Sequence, residues 1–217
     1  LAANAATHRA ICSYYTRYEP CTVAIGPEQL EANISSKTKL FIYSSPCNPS
    51  GSLYTADELA ALAEVFKRHP QIVIISDEIY EFINYVGRHE SIAQFTELKN
   101  RVVVVNGMSK GFAMTGWRLG YLAGPREIIQ ACERMQAQVT SGANSITQRA
   151  AIEALTGDLV PTYKMLDAFK QRKDYVIGAL RKMSGVKSNN PQGAFYAFPD
   201  ISSFFGKKFG ETVIKDD

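Results

Sequence analysis

The chain has few cysteines and histidines, and neither kind is grouped. Its 217 residues include four cysteines and three histidines, without a CxxC pair: Cys12, Cys21, Cys47, Cys132, His8, His69 and His89. A disulfide framework or a zinc site requires such residues at close, characteristic spacings. The sequence therefore indicates neither kind of site, and we expect a reducing, cytoplasmic compartment and no metal.

Long charged blocks and long apolar runs are also missing. The formal net charge is only +3 at pH 7, and no block of about five like charges points to nucleic acid or an acidic membrane surface. No run of about 18 apolar residues could cross a bilayer. The opening LAANAATHRA lacks the basic start and apolar middle of a secretory signal. We therefore expect no nucleic-acid and no membrane partner.

Short apolar segments alternate with helical ones in the first part of the chain. We predict strands over residues 40–45, 71–77, 101–107 and 119–124, each nearly continuously apolar, as in strands buried on both faces. Thr55 and Glu58 form a capping box that begins a helix, and Pro70 closes it. This order predicts an α/β fold with a mainly parallel sheet and helices on its faces. The short join between the last two strands favours an antiparallel pair.

The second part of the chain is predicted to be mainly helical. Helices are expected over residues 126–139, 145–157 and 161–183, followed by a strand over residues 191–200. The third helix carries a dense charged face, which is typical of a surface helix. We place a domain boundary near residues 155–162.

Three polar residues lie at or just after the ends of predicted strands: Asn48, Asp77 and Lys110. The carboxyl ends of the strands form the ligand-binding edge of an open α/β sheet. We therefore expect the three side chains to share one edge. A plain salt bridge between Asp77 and Lys110 is the alternative explanation.

Lys110 has two chemical uses at such an edge. A lysine can serve as a point charge for phosphate or as an amine that condenses with a carbonyl. A phosphate loop requires GxxxxGK followed by Ser or Thr, and GMSKGFAMTG does not match it. A condensing amine is activated by partial burial or by a nearby cation, and Arg118 is such a cation. The residues favour the second use.

Three motifs carry a resemblance to a known family. They are SPCNPSG at 45–51, SDEIYEF at 76–82 and SKGFAMTGWRLGY at 109–121. In this order and at these separations they resemble the class I/II aminotransferases, which are fold type I enzymes dependent on pyridoxal 5'-phosphate (PLP). The bacterial aspartate aminotransferase branch is the most similar.

The resemblance implies a division of the chain into domains. Residues 1–26 form an N-terminal segment that we do not assign, and residues 27–157 a PLP-binding portion of the large α/β domain with its mostly parallel sheet. Residues 158–217 would be part of a smaller α+β C-terminal domain.

The resemblance also implies roles for individual residues. Lys110 would hold PLP as an internal aldimine and move a proton during the reaction. Asp77 would pair with the pyridine nitrogen and keep it protonated, so that the ring can accept electrons from the substrate. Tyr80 and Asn48 would contact the phenolic oxygen of the ring, and Arg118 would bind the phosphate.

Some features of the family are not matched. Many members have a phosphate-binding Ser or Thr three residues before the lysine; Gly107 stands there, and the adjacent Ser109 is the candidate. The family's phosphate loop at a helix start is not recognisable. Candidates for its ring-stacking aromatic residue are Tyr14, Tyr15 and Tyr18. No arginine follows Arg181 to bind the substrate carboxylate. We therefore expect an incomplete part of an aminotransferase that by itself binds PLP weakly.

The implied activity is transamination between an amino acid and a 2-oxo acid, of the aspartate/2-oxoglutarate type, in a homodimer. A PLP-dependent C–S β-lyase or an aminocyclopropane carboxylate synthase would show the same motifs. An aminotransferase-like sensor domain fused to a DNA-binding module is another alternative, although no basic winged-helix segment is visible. The last alternative is that the chain is a non-catalytic fragment.

Overall fold

A computed structural model of the chain describes residues 11–12 and 24–215. The strands are β1 (Ile11–Cys12), β2 (Leu40–Ser44), β3 (Val73–Asp77), β4 (Val102–Gly107), β5 (Gly120–Ala123), β6 (Lys208–Phe209) and β7 (Thr212–Val213). The helices are α1 (Pro27–Asn33), α2 (Ala56–Arg68), α3 (Arg126–Val139), α4 (Ser145–Thr156) and α5 (Val160–Leu180). The strands and helices predicted between residues 40 and 183 are confirmed, with ends that differ by a few residues.

The main sheet of the described residues has the order β1-β2-β3-β4-β5. Strands β1 to β4 pair in parallel, whereas β5 runs antiparallel to β4. The register places Asp77 beside Ser44 of β2 and beside Val105 of β4. The carboxyl ends of three neighbouring strands therefore meet at one edge, as the mostly parallel α/β fold requires.

The core lies between the sheet and helix α2. The helix begins at Thr55, whose side-chain oxygen accepts from the Glu58 amide at 3.3 Å, while the Glu58 carboxylate accepts from the Thr55 amide at 2.8 Å. Its buried face packs Phe66 against Phe41 of β2, with ring centroids 5.1 Å apart. Burial of each such side chain stabilises the fold by about 1.5–3 kcal/mol.

Strand β5 corrects one expectation. All four of its residues are exposed, including Tyr121 at 40% and Leu122 at 39%. Its apolar sequence predicted burial on both faces, and that prediction is wrong for this strand. The physical reason is position: β5 ends the strand order, so only β4 adjoins it within the described chain.

The predicted strand over residues 191–200 is also wrong. This segment consists of turns and irregular backbone, with isolated bridges from Gly193 to Asn84 and from Asp200 to Lys187. Alternating aromatic residues suggested a strand, but Ala194 has a left-handed backbone with φ of 56°. Such a conformation interrupts regular pairing.

The helices after β5 are largely exposed. Only Thr162 and Ile177 of α5 are buried, which agrees with the predicted surface helix. Gly157 ends α4, and α5 begins three residues later, inside the predicted boundary region. None of the helices in the described ranges is both long and apolar enough to cross a membrane.

Replacing Thr55 with alanine removes the oxygen that caps α2. We expect the free energy of unfolding to fall by about 1 kcal/mol, the usual effect of losing such a cap. Urea unfolding followed by circular dichroism measures the change. Ser36→Ala, at an exposed turn residue, is the control and should change stability little; an equal loss in both variants would contradict the capping role.

Candidate functional site

Asp77 closes β3 at the shared strand edge and is partly buried. Its Oδ1 accepts a hydrogen bond from the Ile79 amide at 3.1 Å. Among the described residues, Oδ2 has no hydrogen-bond partner. Burial raises the pKa of the Asp77 carboxyl, and the Ile79 hydrogen bond opposes this only in part. The site thus contains a partly buried carboxyl with one oxygen available to a ligand.

Glu78, which sequence reasoning missed, anchors the backbone next to Asp77. Its buried carboxylate accepts from the hydroxyls of Ser76 at 2.8 Å and Ser91 at 2.6 Å, and it lies 2.9 Å from Nε2 of His89. Glu78, Glu81 and His89 have potential ligand atoms within 4.8 Å of one another. The hydrogen bonds to the serines account for the position of Glu78, so we treat this network as structural support for the turn after β3.

Lys110 lies against the ring of Tyr80. Its Nζ is 5.8 Å from the Tyr80 ring centroid and 5.4 Å from that of Phe195. Ammonium groups are attracted to aromatic faces at this range. Within the described part of the chain, no carboxylate forms an ion pair with Lys110, so the plain salt bridge with Asp77 is not observed. The amine therefore lies against aromatic rings, and no described residue provides it with a counter-ion.

The loop after Lys110 is packed on the turn that carries Tyr80. A Cβ added at Gly111 would lie 2.6 Å from Cδ2 of Phe82, so only glycine fits there without a shift. Phe82 and Phe112 also meet edge to face at 5.2 Å. On the other side, the buried hydroxyl of Thr162 donates to the Gly111 carbonyl at 3.0 Å. These contacts fix the lysine loop between β3 and α5.

The other predicted site residues within the described chain are Asn48, Ser109 and Arg118. Asn48 is exposed in the loop after β2, and Ser109 is partly buried. Arg118 is exposed, and its Nη1 donates to the Thr115 carbonyl at 3.0 Å. Among the described residues, no hydrogen bond or ion pair joins these side chains to Lys110 or Asp77. The candidates Tyr14, Tyr15 and Tyr18 lie outside the described residues, as does most of the segment 1–26.

Two open cavities flank the loop that follows Lys110. One, of about 620 Å³, lies between the loop and helices α4 and α5. The other, of about 1430 Å³, is lined by Arg118, β5 and α3. Neither Lys110 nor Asp77 lines either cavity, so the candidate site is the open sheet edge itself.

The fold and this edge define the class of the protein. A mostly parallel α/β sheet with a lysine loop and an aspartate at its carboxyl edge is the fold type I aminotransferase architecture. The sequence matches the family described as aminotransferase class I and II over residues 2–212, and the chain belongs to that family.

Individual relatives narrow the similarity to one branch. The chain is 47% identical over 188 residues to a bifunctional aspartate aminotransferase and glutamate/aspartate-prephenate aminotransferase of Petunia hybrida, covering 84% of the chain and 39% of the relative. It is 46% identical over 209 residues to an aspartate/prephenate aminotransferase of Cereibacter sphaeroides, covering 91% and 52%.

A solved structure agrees with these relatives. The crystal structure of the aspartate aminotransferase from Rhizobium meliloti superimposes with a TM-score of 0.86 at 40% identity, over 89% of this chain and 49% of that one. The chain therefore spans about half the length of the relatives that it matches.

The family implies PLP as the cofactor, and the residues at the edge fit it. A condensing aldehyde requires an amine that is not tied up in an ion pair, and Lys110 meets this condition. A pyridine nitrogen requires a carboxylate with an unoccupied oxygen, which Asp77 offers at Oδ2. Both groups follow neighbouring strands at the same edge.

The raised pKa of Asp77 predicts a specific dependence of stability on pH. The folded chain binds the Asp77 proton more tightly than the unfolded chain, so this residue favours folding at low pH. Its contribution is lost as the pH rises from about 4, the unfolded value, through the folded pKa. In the ligand-free chain, Asp77→Asn should therefore unfold at a higher urea concentration than the parent at pH 7, by a margin that shrinks towards pH 4.

Asp200→Asn is the matched control of opposite sign. Asp200 is partly buried, and hydrogen bonds from Ser202 lower its pKa, so it adds stability above its unfolded pKa. This variant should be slightly less stable than the parent at pH 7. If Asp77→Asn were instead the less stable variant at pH 7, with full stability at pH 4, the assigned burial of Asp77 would be wrong.

Proposed function

We propose that the protein is a PLP-dependent aminotransferase that exchanges an amino group between aspartate and a 2-oxo acid such as 2-oxoglutarate. The observation that carries this proposal is the placement of Lys110 against Tyr80, at the sheet edge that Asp77 closes, with no ion pair to any residue that the structure describes. The relatives named as aspartate and aspartate/prephenate aminotransferases support the substrate class, with prephenate as a further acceptor.

Each residue has a distinct part in this proposal. Lys110 would attach the aldehyde of PLP, Asp77 would hold the pyridine nitrogen, and Tyr80 and Asn48 would contact the phenolic oxygen. Arg118, with Ser109 beside the lysine, would bind the phosphate. When bound, PLP supplies an electron sink that stabilises negative charge at the α-carbon of the substrate.

Lys110 is the proposed acid and base. Its amine lies against the rings of Tyr80 and Phe195, and no carboxylate of the described residues forms an ion pair with it. In this proposal the amine would take a proton from the substrate α-carbon and deliver it to the carbon that PLP's aldehyde group supplies. The same residue serves both halves of a ping-pong transamination, because the second half reverses the first.

Asp77 and Tyr80 set the charges around the amine. Burial raises the pKa of Asp77, so a protonated ring nitrogen at Oδ2 would stabilise its ionised form and offset the cost of burial. Burial, together with the hydrogen bond to Tyr196, raises the pKa of the Tyr80 phenol. Tyr80 therefore keeps its proton at neutral pH and acts as a neutral hydrogen-bonding group.

We further propose a homodimer, as is usual for this family. Exposed apolar residues on the helices after β5 support an interface there: Met135, Val139, Ile146, Ile152 and Leu155. Large apolar side chains in such number on one part of a surface are typical of association sites. Sedimentation measurements on the purified protein test this.

Product analysis distinguishes the proposed reaction from its chemical relatives. Purified protein supplied with PLP, aspartate and 2-oxoglutarate is expected to form oxaloacetate and glutamate in equal amounts. Pyruvate with ammonia and a thiol, formed from a cysteine conjugate, would instead identify a C–S β-lyase. If neither set of products formed, the result would favour a non-catalytic role.

Replacing Lys110 with alanine tests the attachment residue. After incubation with PLP and reduction by borohydride, the parent should gain the cofactor mass on the peptide containing residue 110. Lys110→Ala should lose that mass gain while keeping its circular dichroism spectrum, and transamination should fall by about 10²–10⁴-fold.

Lys99→Ala, at an exposed lysine away from the strand edge, is the control and should behave as the parent. A cofactor trapped at another lysine, together with undiminished turnover in Lys110→Ala, would show that Lys110 is not the attachment residue.

A further inference from the structure

The irregular segment 191–196, which we call the connecting segment, joins the loops that carry two proposed site residues. The amides of Gln192 and Gly193 both donate to the Gly51 carbonyl, at 2.8 and 2.9 Å, in the loop of Asn48. The Ala194 amide donates to the carbonyl of Ile83 at 2.8 Å, in the turn that follows Tyr80. The segment therefore bridges both loops by backbone hydrogen bonds.

Close packing leaves this segment little freedom. A Cβ at Gly193 would lie 2.6 Å from the side chain of Pro46 and 2.8 Å from the Ile83 carbonyl oxygen. Ala194 is fully buried, and its φ of 56° turns the chain sharply. The direction in which the next two side chains leave the segment is thus determined by contacts on both sides.

Those next two side chains are Phe195 and Tyr196, and both contact Tyr80. Phe195 meets the Tyr80 ring edge to face at 5.4 Å, and Tyr196 does so at 5.7 Å. The hydroxyls of Tyr196 and Tyr80 lie 2.5 Å apart, within hydrogen-bond range. Phe169 of α5 stacks on Phe195 at 5.3 Å and supports the group from behind.

Tyr80 depends on this contact because it is only 3% exposed. A buried hydroxyl without a partner is costly, and Tyr196 is the hydrogen-bond partner of the Tyr80 hydroxyl within the described chain. The Lys110 amine in turn lies against the rings of both Tyr80 and Phe195. Any shift of the Tyr80 ring therefore changes the surroundings of the amine.

We propose that Tyr196 is a positioning residue of this site: its hydrogen bond fixes the Tyr80 hydroxyl and, through the Tyr80 ring, the place of the Lys110 amine. This inference rests on the proposed function, because it is the proposed function that makes Tyr80 and Lys110 contacts of the cofactor. A phenol can donate one hydrogen bond and also accept one. When Tyr80 donates to a ligand, Tyr196 can therefore donate to Tyr80 and keep it in place.

The test measures the exposure of the Lys110 amine in the ligand-free chain. Formaldehyde with cyanoborohydride methylates accessible amines, and peptide mass spectrometry reads the rate at residue 110. In Tyr196→Phe, the Tyr80 hydroxyl loses its partner, and we expect methylation of Lys110 to become about fivefold faster, the factor that one ordinary hydrogen bond gives. An unchanged rate would overturn the inference.

Tyr85→Phe is the matched control. The Tyr85 hydroxyl donates to the Ala194 carbonyl in the same aromatic cluster, yet it does not contact Tyr80 through a hydrogen bond. This variant should leave the rate at Lys110 close to that of the parent. Equal acceleration in both variants would assign the effect to general loosening of the connecting segment and would refute a specific role for Tyr196.

A double substitution provides a second, independent test, which remains usable if one of the single variants folds poorly. Tyr80→Phe removes the other hydroxyl of the pair, so it should accelerate methylation as Tyr196→Phe does. The double variant should show no further acceleration, because both changes break the same hydrogen bond. Additive effects would contradict the inference. None of these measurements needs PLP, so a failure to bind it would count against the proposed function alone.

Discussion

The register of the parallel strands is the constraint on which the rest of the site depends. Because Asp77 pairs beside Ser44 and Val105, the chain leaves β2, β3 and β4 at nearly the same level. Asp77 at the end of β3 and the loops that carry Asn48 and Lys110 consequently start from the same edge, although they are far apart in the sequence. A shift of one residue in any strand would turn alternate side chains to the other face of the sheet.

Packing above the sheet edge then sets the chemistry. Asp77 is partly buried, and the neighbouring Glu78 accepts the hydrogen bonds of the two serines and lies beside His89. Lys110 lies against aromatic rings, which attract its charge without neutralising it. Among the described residues, the acid and the amine form no ion pair with each other, so neither group is occupied by the other.

Residues from the second part of the chain, far away in the sequence, also contact this edge of the sheet. The Thr162 hydroxyl bonds to the loop after Lys110, and the connecting segment brings Phe195 and Tyr196 to Tyr80. Neither contact has a local sequence signal. The carbonyls of Gly51 and Ile83 accept hydrogen bonds from the connecting segment and hold it in place, so the surroundings of the amine depend on residues of both predicted domains.

The sequence by itself determined strands β2 to β5 and the capped helix α2, and it supplied the candidate site residues as a prediction. These depend on local periodicity, on the Thr55 and Glu58 cap, and on motifs whose residues lie close together in the chain. The resemblance to aminotransferases, carried by those motifs, was confirmed by the family match.

The tertiary structure alone decided the exposure of β5, the irregular path of residues 191–200 and the partners of Tyr80. An apolar strand is buried only where another element covers it, and β5 lies at the end of the strand order. The left-handed turn at Ala194 is determined by contacts with residues more than a hundred positions earlier. Such long-range contacts leave no periodic pattern in the sequence, because each depends on where the remainder of the chain packs.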